Sequence, residues 1–192
     1  MQRMQGKKVV RAMKGLSSTT TRPHSRSKRP IAIFIGRFQP FHIGHYDAFL
    51  RMNKLYPRVN ILIGSSNRSR TQDNPLTYTE RKDYIRSVVG PKPTILPLRD
   101  VPCDDDWVSL LRRHFPQTPV VIYSANDWVL HLCEEASIPT RRIIIRKKVS
   151  ATTIRQMIRE RKTASLRLFP NPKPSAKLLQ TIWDTRPKTR RA

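Results

Sequence analysis

From Ile31 onward, short apolar runs of strand length alternate five times with longer segments of helical period, and this alternation narrows the fold more than any other feature of the chain. The runs cover residues 31–35, 59–63, 94–98, 120–123 and 143–145; candidate helices follow at 45–55, 79–89, 106–114, 128–135 and 151–161. Strands that are apolar without alternation are buried on both faces, and a helix after each one returns the chain to the same edge. The pattern predicts an α/β fold, a doubly wound, Rossmann-like parallel sheet in one domain. Helix starts are marked locally. Thr77 followed by Glu80 has capping-box spacing, Ser150 stands before an amphipathic run as an N-cap, and residues 175–183 read as a short last helix after a proline cluster.

The ends of the chain differ from its centre. Of 192 residues, 38 are Lys or Arg and 13 Asp or Glu, a net charge of +25. Residues 1–30 hold nine of the basic residues and no acid, with a Ser/Thr run and little apolar content, so 1–30 reads as a disordered basic tail. Residues 31–183 form the domain and 184–192 a basic end. This charge implies polyanionic company, with nucleic acid or an anionic surface as partners for the tails. Cys103 and Cys133 are too few and too widely spaced for a disulfide framework or a paired zinc site. No apolar run approaches the ~18 residues of a membrane span. The expectation is a cytoplasmic protein, with mitochondrial targeting by the N-terminal segment left open.

The chemistry concentrates behind the first strand, in Gly36-Arg37-Phe38-Gln39-Pro40-Phe41-His42-Ile43-Gly44-His45. In a doubly wound sheet, ligands bind at the carboxyl ends of strands, where helix N-termini favour phosphate. His42 and His45 stand three apart at the start of a helix, so both rings can reach one side of such an anion site. Gly44 between them lets backbone approach.

His42-Ile43-Gly44-His45 resembles the H-x-G-H signature of the nucleotidylyltransferase superfamily, and the longer Gly36 to His42 string is similar to the archaeal-type nicotinamide mononucleotide (NMN) adenylyltransferases. Class I aminoacyl-tRNA synthetases share the short spelling but need a far longer chain. Three further stretches carry the likeness: the loop from Gly64-Ser65 to Asn74-Pro75-Leu76-Thr77, with Glu80-Arg81; Arg99-Asp100 through Cys103-Asp104 to Trp107; and Ser150-Ala151-Thr152-Thr153-Ile154-Arg155.

The resemblance implies transfer of an adenylyl group from ATP, accompanied by Mg²⁺, to NMN. It implies His42, His45, Arg37 and Arg155 as the catalytic set. ATP would meet Gly36, Arg37, Phe38, His42, Gly44, His45, Ser150, Thr152, Thr153 and Arg155, with Ser124 and Asn126 from the end of the fourth strand. NMN would meet Ser65, Arg68, Arg70, Asn74, Asp104 and Trp107, the last stacking on the pyridine. Two departures stand out: Asp73 where members commonly carry a basic residue, which shifts phosphate contacts to Arg68 or Arg70, and Asp104 to Asp106 where they often carry Asn, which favours the amide over the acid mononucleotide. No metal-ligating set is visible in the chain, and a homo-oligomer is expected from the family habit. Two alternatives stay open. One is a small nucleotidylyltransferase acting on phosphopantetheine, flavin mononucleotide or a polyol phosphate; the other is a nucleic-acid-binding protein on an inactive fold of this type.

Overall fold

Four of the five apolar runs become strands where the periodicity predicts them, and the fifth moves. In the computed structural model, which describes residues 29–145 and 149–185, the strands are β1 (Ile31–Gly36), β2 (Val59–Ile63), β3 (Ile95–Pro97), β4 (Val120–Ser124) and β5 (Thr140–Arg142). The expected strand at 143–145 lies just beyond β5. The register explains the shift: Ile122, Tyr123 and Ser124 pair with Thr140, Arg141 and Arg142, so the polar triplet forms the edge strand. An edge strand faces solvent on one side and needs no apolar run. Ile143 adds one more bond, from its N–H to the Ser124 carbonyl, and then turns into the core.

The helices are α1 (Ile43–Leu55), α2 (Tyr78–Val89), α3 (Asp104–His114), α4 (Asp127–Glu135), α5 (Ala151–Arg159) and α6 (Ala176–Asp184). A 3₁₀ segment at Thr163–Leu168, which the periodicity did not announce, links the last two. The start of α2 is the capping box expected from sequence, with Thr77 Oγ accepting from the Glu80 N–H and the Glu80 carboxylate from the Thr77 N–H. Three aspartates fill the first turn of α3, where the helix dipole favours them. The basic tail at 1–28 and the last residues, 186–192, lie outside the described residues.

All strand pairs are parallel, in the order β3-β2-β1-β4-β5. Successive residues along a strand point to opposite faces. Ala32 and Phe34 pack with side chains from α1, α2, α5 and α6, while Ile33 and Ile35 pack with α3 and α4. The strand order reverses between β1 and β4, and there the carboxyl ends open a crevice suited to a ligand.

The loops around this crevice are fixed by one buried arginine. Arg81, on α2, is 1% exposed, and its guanidinium donates to four main-chain carbonyls: Thr77 at 3.2 Å, Arg37 at 2.7 Å, Gly64 at 2.8 Å and Ser65 at 3.0 Å. These carbonyls belong to the loops after β1 and β2 and to the start of α2. A second clamp is Gln39, whose side-chain amide accepts from the Leu76 N–H and donates to the Leu76 carbonyl. Replacing Arg81 by Met leaves several carbonyls unpaired in a dry setting, each costing about 1–3 kcal/mol. We expect Arg81→Met to lower unfolding free energy by about 3 kcal/mol or more, read from the urea midpoint. Arg81→Lys should recover only part, since one ammonium cannot span the cage. A midpoint unmoved in Arg81→Met would refute the clamp.

Candidate active site

The helix that follows β1 begins with histidine in place of the usual Ser, Thr, Asp or Asn cap. His42 is the N-cap of α1, and its Nδ1 accepts from the Gly44 N–H at 3.1 Å. His45, three residues on, returns the favour: its Nδ1 accepts from the His42 N–H at 3.3 Å. The pair forms a capping box built of imidazoles. Because each Nδ1 is an acceptor, each ring carries its proton on Nε2, which has no partner among the described residues.

Packing holds the rings in place. They stack at 3.7 Å between centroids, and Phe38 and Phe41 flank His45 at 5.0 and 5.5 Å. A Cβ on Gly44 would lie 2.7 Å from the Ile145 side chain and 3.1 Å from His42, so the close approach requires glycine. Gly36 is constrained likewise, since a Cβ there would meet the Phe38 ring at 2.8 Å.

In front of His45 lies a cavity of about 420 Å³ at the β1/β4 crevice, a volume suited to a nucleotide-sized ligand. Of the residues expected from sequence, it gathers Gly36, Arg37, Phe38 and His45 from the first loop and Ser124 and Asn126 from β4 and its turn. Ser65, Trp107, Thr152 and Arg155 complete the set. The N-termini of α1, α4 and α5 meet here, each capped by a side chain: His42, Asn126 and Ser150. Three helix starts, with Arg37 and Arg155, bring positive charge to the cavity, an arrangement suited to an anion. Arg37 is exposed and its guanidinium has no partner among the described residues. Arg155 is buried and donates to the Gln39 carbonyl at 2.9 Å, to Asp73 at 3.0 Å and to Thr152 Oγ1 at 3.3 Å. Burial lowers its pKa, and Asp73 opposes the fall.

Other expected residues stand elsewhere. His42 sits behind His45, and Ser150 and Thr153 bond to each other at the α5 cap. Arg70 pairs with Glu80 at 2.8 Å, and Arg68 lies over Asp100 at 3.6 Å. Neither they nor Asn74 borders the cavity. Asp104 borders a separate depression with Ser109 and Arg112.

The carboxylate that does face the cavity is that of Asp100, held by Ser65 Oγ at 3.0 Å, while two bonds with Asn67 fix the Asp100 main chain. The family likeness covers Arg99-Asp100 through Trp107, and within it the ligand expected from sequence is Asp104, not Asp100. Trp107 is 3% exposed and packs in the α3/α4 core, with one part at the cavity. Its ring meets Trp128, 44% exposed, at 5.1 Å and 64°. The site therefore has an aromatic corner where one tryptophan was expected; Trp128 at the first turn of α4 is visible in the sequence only as a helix start.

No group of three or more His, Cys, Asp or Glu among the described residues is placed to hold a metal ion. No described helix is long and apolar enough to cross a membrane.

Residues 33–167 match the cytidylyltransferase-like family. The chain is 32% identical over 157 residues to the nicotinamide-nucleotide adenylyltransferase of Methanosarcina acetivorans, covering 79% of this chain and 88% of that protein. It is 31% identical to nicotinamide-nucleotide adenylyltransferase 1 of Sulfolobus acidocaldarius, covering 67% of this chain and 78% of that one. Among solved structures, a bifunctional NMN adenylyltransferase/ADP ribose pyrophosphatase from Francisella tularensis, complexed with AMP and a Mn ion, superposes with a TM-score of 0.66 at 24% identity. That alignment covers 82% of this chain, which spans about half the length of the Francisella protein.

Burial also sets the protonation of the two rings. It lowers the His42 pKa from 6.5 to about 4 and takes His45 well below its ordinary value, the neighbouring His42 adding to the fall. Both imidazoles are neutral at pH 7. In the unfolded chain they titrate near 6.5, so between that pH and about 4 the unfolded state binds more protons. Their contribution to stability is complete above pH 6.5 and is lost as pH falls through this window. Urea midpoints measured at pH 7.5, 6 and 5 should fall progressively, and His42→Asn, which keeps a capping side chain, should show the shallower acid slope. Equal slopes in the two proteins would contradict buried neutral histidines.

Proposed function

The chain belongs to the cytidylyltransferase-like family, among the nicotinamide-nucleotide adenylyltransferases, and on that premise we propose that it joins NMN and ATP to give NAD and pyrophosphate. The observation that carries the reading is the imidazole capping box beside a cavity where Arg37, Arg155 and three helix N-termini converge.

In this reading the 5′-phosphate oxygen of NMN attacks the α-phosphorus of ATP. The bond from that phosphorus to the oxygen bridging to the β-phosphate breaks, and pyrophosphate leaves. A phosphate monoester is ionised at neutral pH, so the protein need not supply a base; it aligns two anions and steadies the charge that shifts between them. His45 donates from Nε2 to the α-phosphoryl group, with His42 as its backing. Arg37 and Arg155 hold the β- and γ-phosphates. Neutral rings are the fitting donors here, since their protons are fixed by the helix cap and stay in place. The cavity wall offers cations, amides and one carboxylate, so magnesium enters with ATP as part of that substrate and is carried by phosphate oxygens and water. Trp107 and Trp128 receive the pyridine ring, and Asp100 favours a carboxamide over a carboxylate.

The test is incubation with MgATP and, in turn, NMN, nicotinic acid mononucleotide, flavin mononucleotide and phosphopantetheine, following pyrophosphate release. NMN should be consumed fastest, with the acid analogue slower; a faster reaction with either of the last two compounds would overturn the acceptor. In the NMN reaction, His45→Ala should lower kcat about 10²-fold with a small change in the KM for ATP, the loss typical of one donor aimed at transition-state charge. An unchanged kcat in the folded variant would remove His45 from the mechanism.

A further inference from the structure

The contact between Arg155 and Asp73 is unequal. The Arg155 side chain is 4% exposed and the Asp73 side chain 73%. The guanidinium has been taken out of water and needs acceptors, and its Nε still has no partner among the described residues. The carboxylate sits on the open loop between β2 and α2 and can return to water at little cost.

One turn further along α5, Arg159 donates to the carbonyl of Gln72, the residue before Asp73. Two arginines on one helix face therefore hold the same turn of the loop. That turn is closed by the Thr71 N–H on the Asn74 carbonyl, at 3.2 Å, and by the Asn74 N–H on Thr71 Oγ1, at 3.1 Å. On either side the loop is anchored to other elements, through Arg70 on Glu80 and through Leu76 on Gln39. Within this loop, the turn at 71–74 is the part that α5 holds, through Gln72 and Asp73.

We propose that Asp73 is a stand-in anion, occupying at Arg155 the place that a polyphosphate takes, and that polyphosphate binding expels it and leaves the 71–74 turn held to α5 by Arg159 alone. This rests on the reading of Arg155 as a ligand for ATP phosphates. A polyphosphate brings several anionic oxygens to a guanidinium that already has a carboxylate at 3.0 Å. Two anions cannot share that donor edge without repulsion, and the exposed carboxylate is the one with water to return to. Asp73 thus lowers the affinity of the site for phosphate while satisfying the buried arginine when the site is empty. Arg155 keeps its bond to the Gln39 carbonyl throughout, so its head stays aimed at the cavity.

Calorimetry with inorganic tripolyphosphate on the full chain tests this, with Asp73→Asn and Asp73→Glu alongside and NAD formation assayed in parallel. Asp73→Asn should bind tripolyphosphate at least about fivefold more tightly, the lower end of ordinary coupling between sites. Asp73→Glu, which restores the charge, should lie near the parent. Amide hydrogen exchange at 71–74 should quicken when the parent is saturated with tripolyphosphate, and should already be fast in Asp73→Asn. Equal or weaker binding by Asp73→Asn, or exchange at 71–74 unmoved by ligand in the parent, overturns the proposal. Absence of binding by all three proteins does the same. A parent that forms NAD while Asp73→Asn binds no tighter refutes the stand-in anion alone; tighter binding in a protein that forms no NAD refutes the proposed reaction and leaves the stand-in anion intact.

Discussion

A single desolvated guanidinium organises the mouth of this sheet. Arg81 reaches out of α2 and gathers carbonyls from the loops behind β1 and β2 and from its own helix start. Burial lowers its pKa only to about 10, so it is charged at every physiological pH. A full charge among carbonyl dipoles is tolerable because every bond it makes is charge-assisted. The first loop could otherwise not hold its shape, since it carries Phe38 at φ 51° and contains little regular structure. Given that anchor, Phe38 and Phe41 can press His45 against His42, and the cavity takes a defined wall.

The same loop illustrates how local structure and chemistry use common atoms. The hydrogen bonds that begin α1 also decide which imidazole nitrogen carries the proton. Burial then removes the option of charging the rings. The positive charge at the cavity sits instead on Arg37 and Arg155, with the partial charges of the helix starts beside them. In the proposed reaction the labour divides accordingly: cations and dipoles bind, while neutral donors point.

Much of this was legible in the order of residues. Unbroken apolar runs gave four strands at their observed places, and capping pairs such as Thr77 with Glu80 marked helix starts. The edge strand was misplaced because hydrophobicity reports burial, and Thr140–Arg142 is held by main-chain bonds at a solvated edge. The glycines and histidines of the first loop were readable because their spacing has one economical explanation. Asp100 and Trp128 were not, because their part in the cavity depends on where α3 and α4 settle against the sheet. Arg68 and Arg70 were expected, from the resemblance, to take over phosphate contacts where Asp73 replaces a basic residue; nearby carboxylates engage both. Trp107 shows that burial and cavity lining coexist in one large side chain, so core and ligand readings need not compete.

Gln39 imitates a strand partner: its amide exchanges two bonds with the main chain of Leu76, as one residue of a ladder does with another. Arg81 likewise grips only carbonyls. Both recognise main-chain groups, which every residue but proline can supply, and so these bonds do not read the side chains of the gripped positions. Mutational drift at Arg37 or Ser65, whose side chains line the cavity, would leave these particular grips intact. A lineage could exchange those side chains one at a time, and so retune what the cavity accepts, without first having to invent a new way of holding the loops.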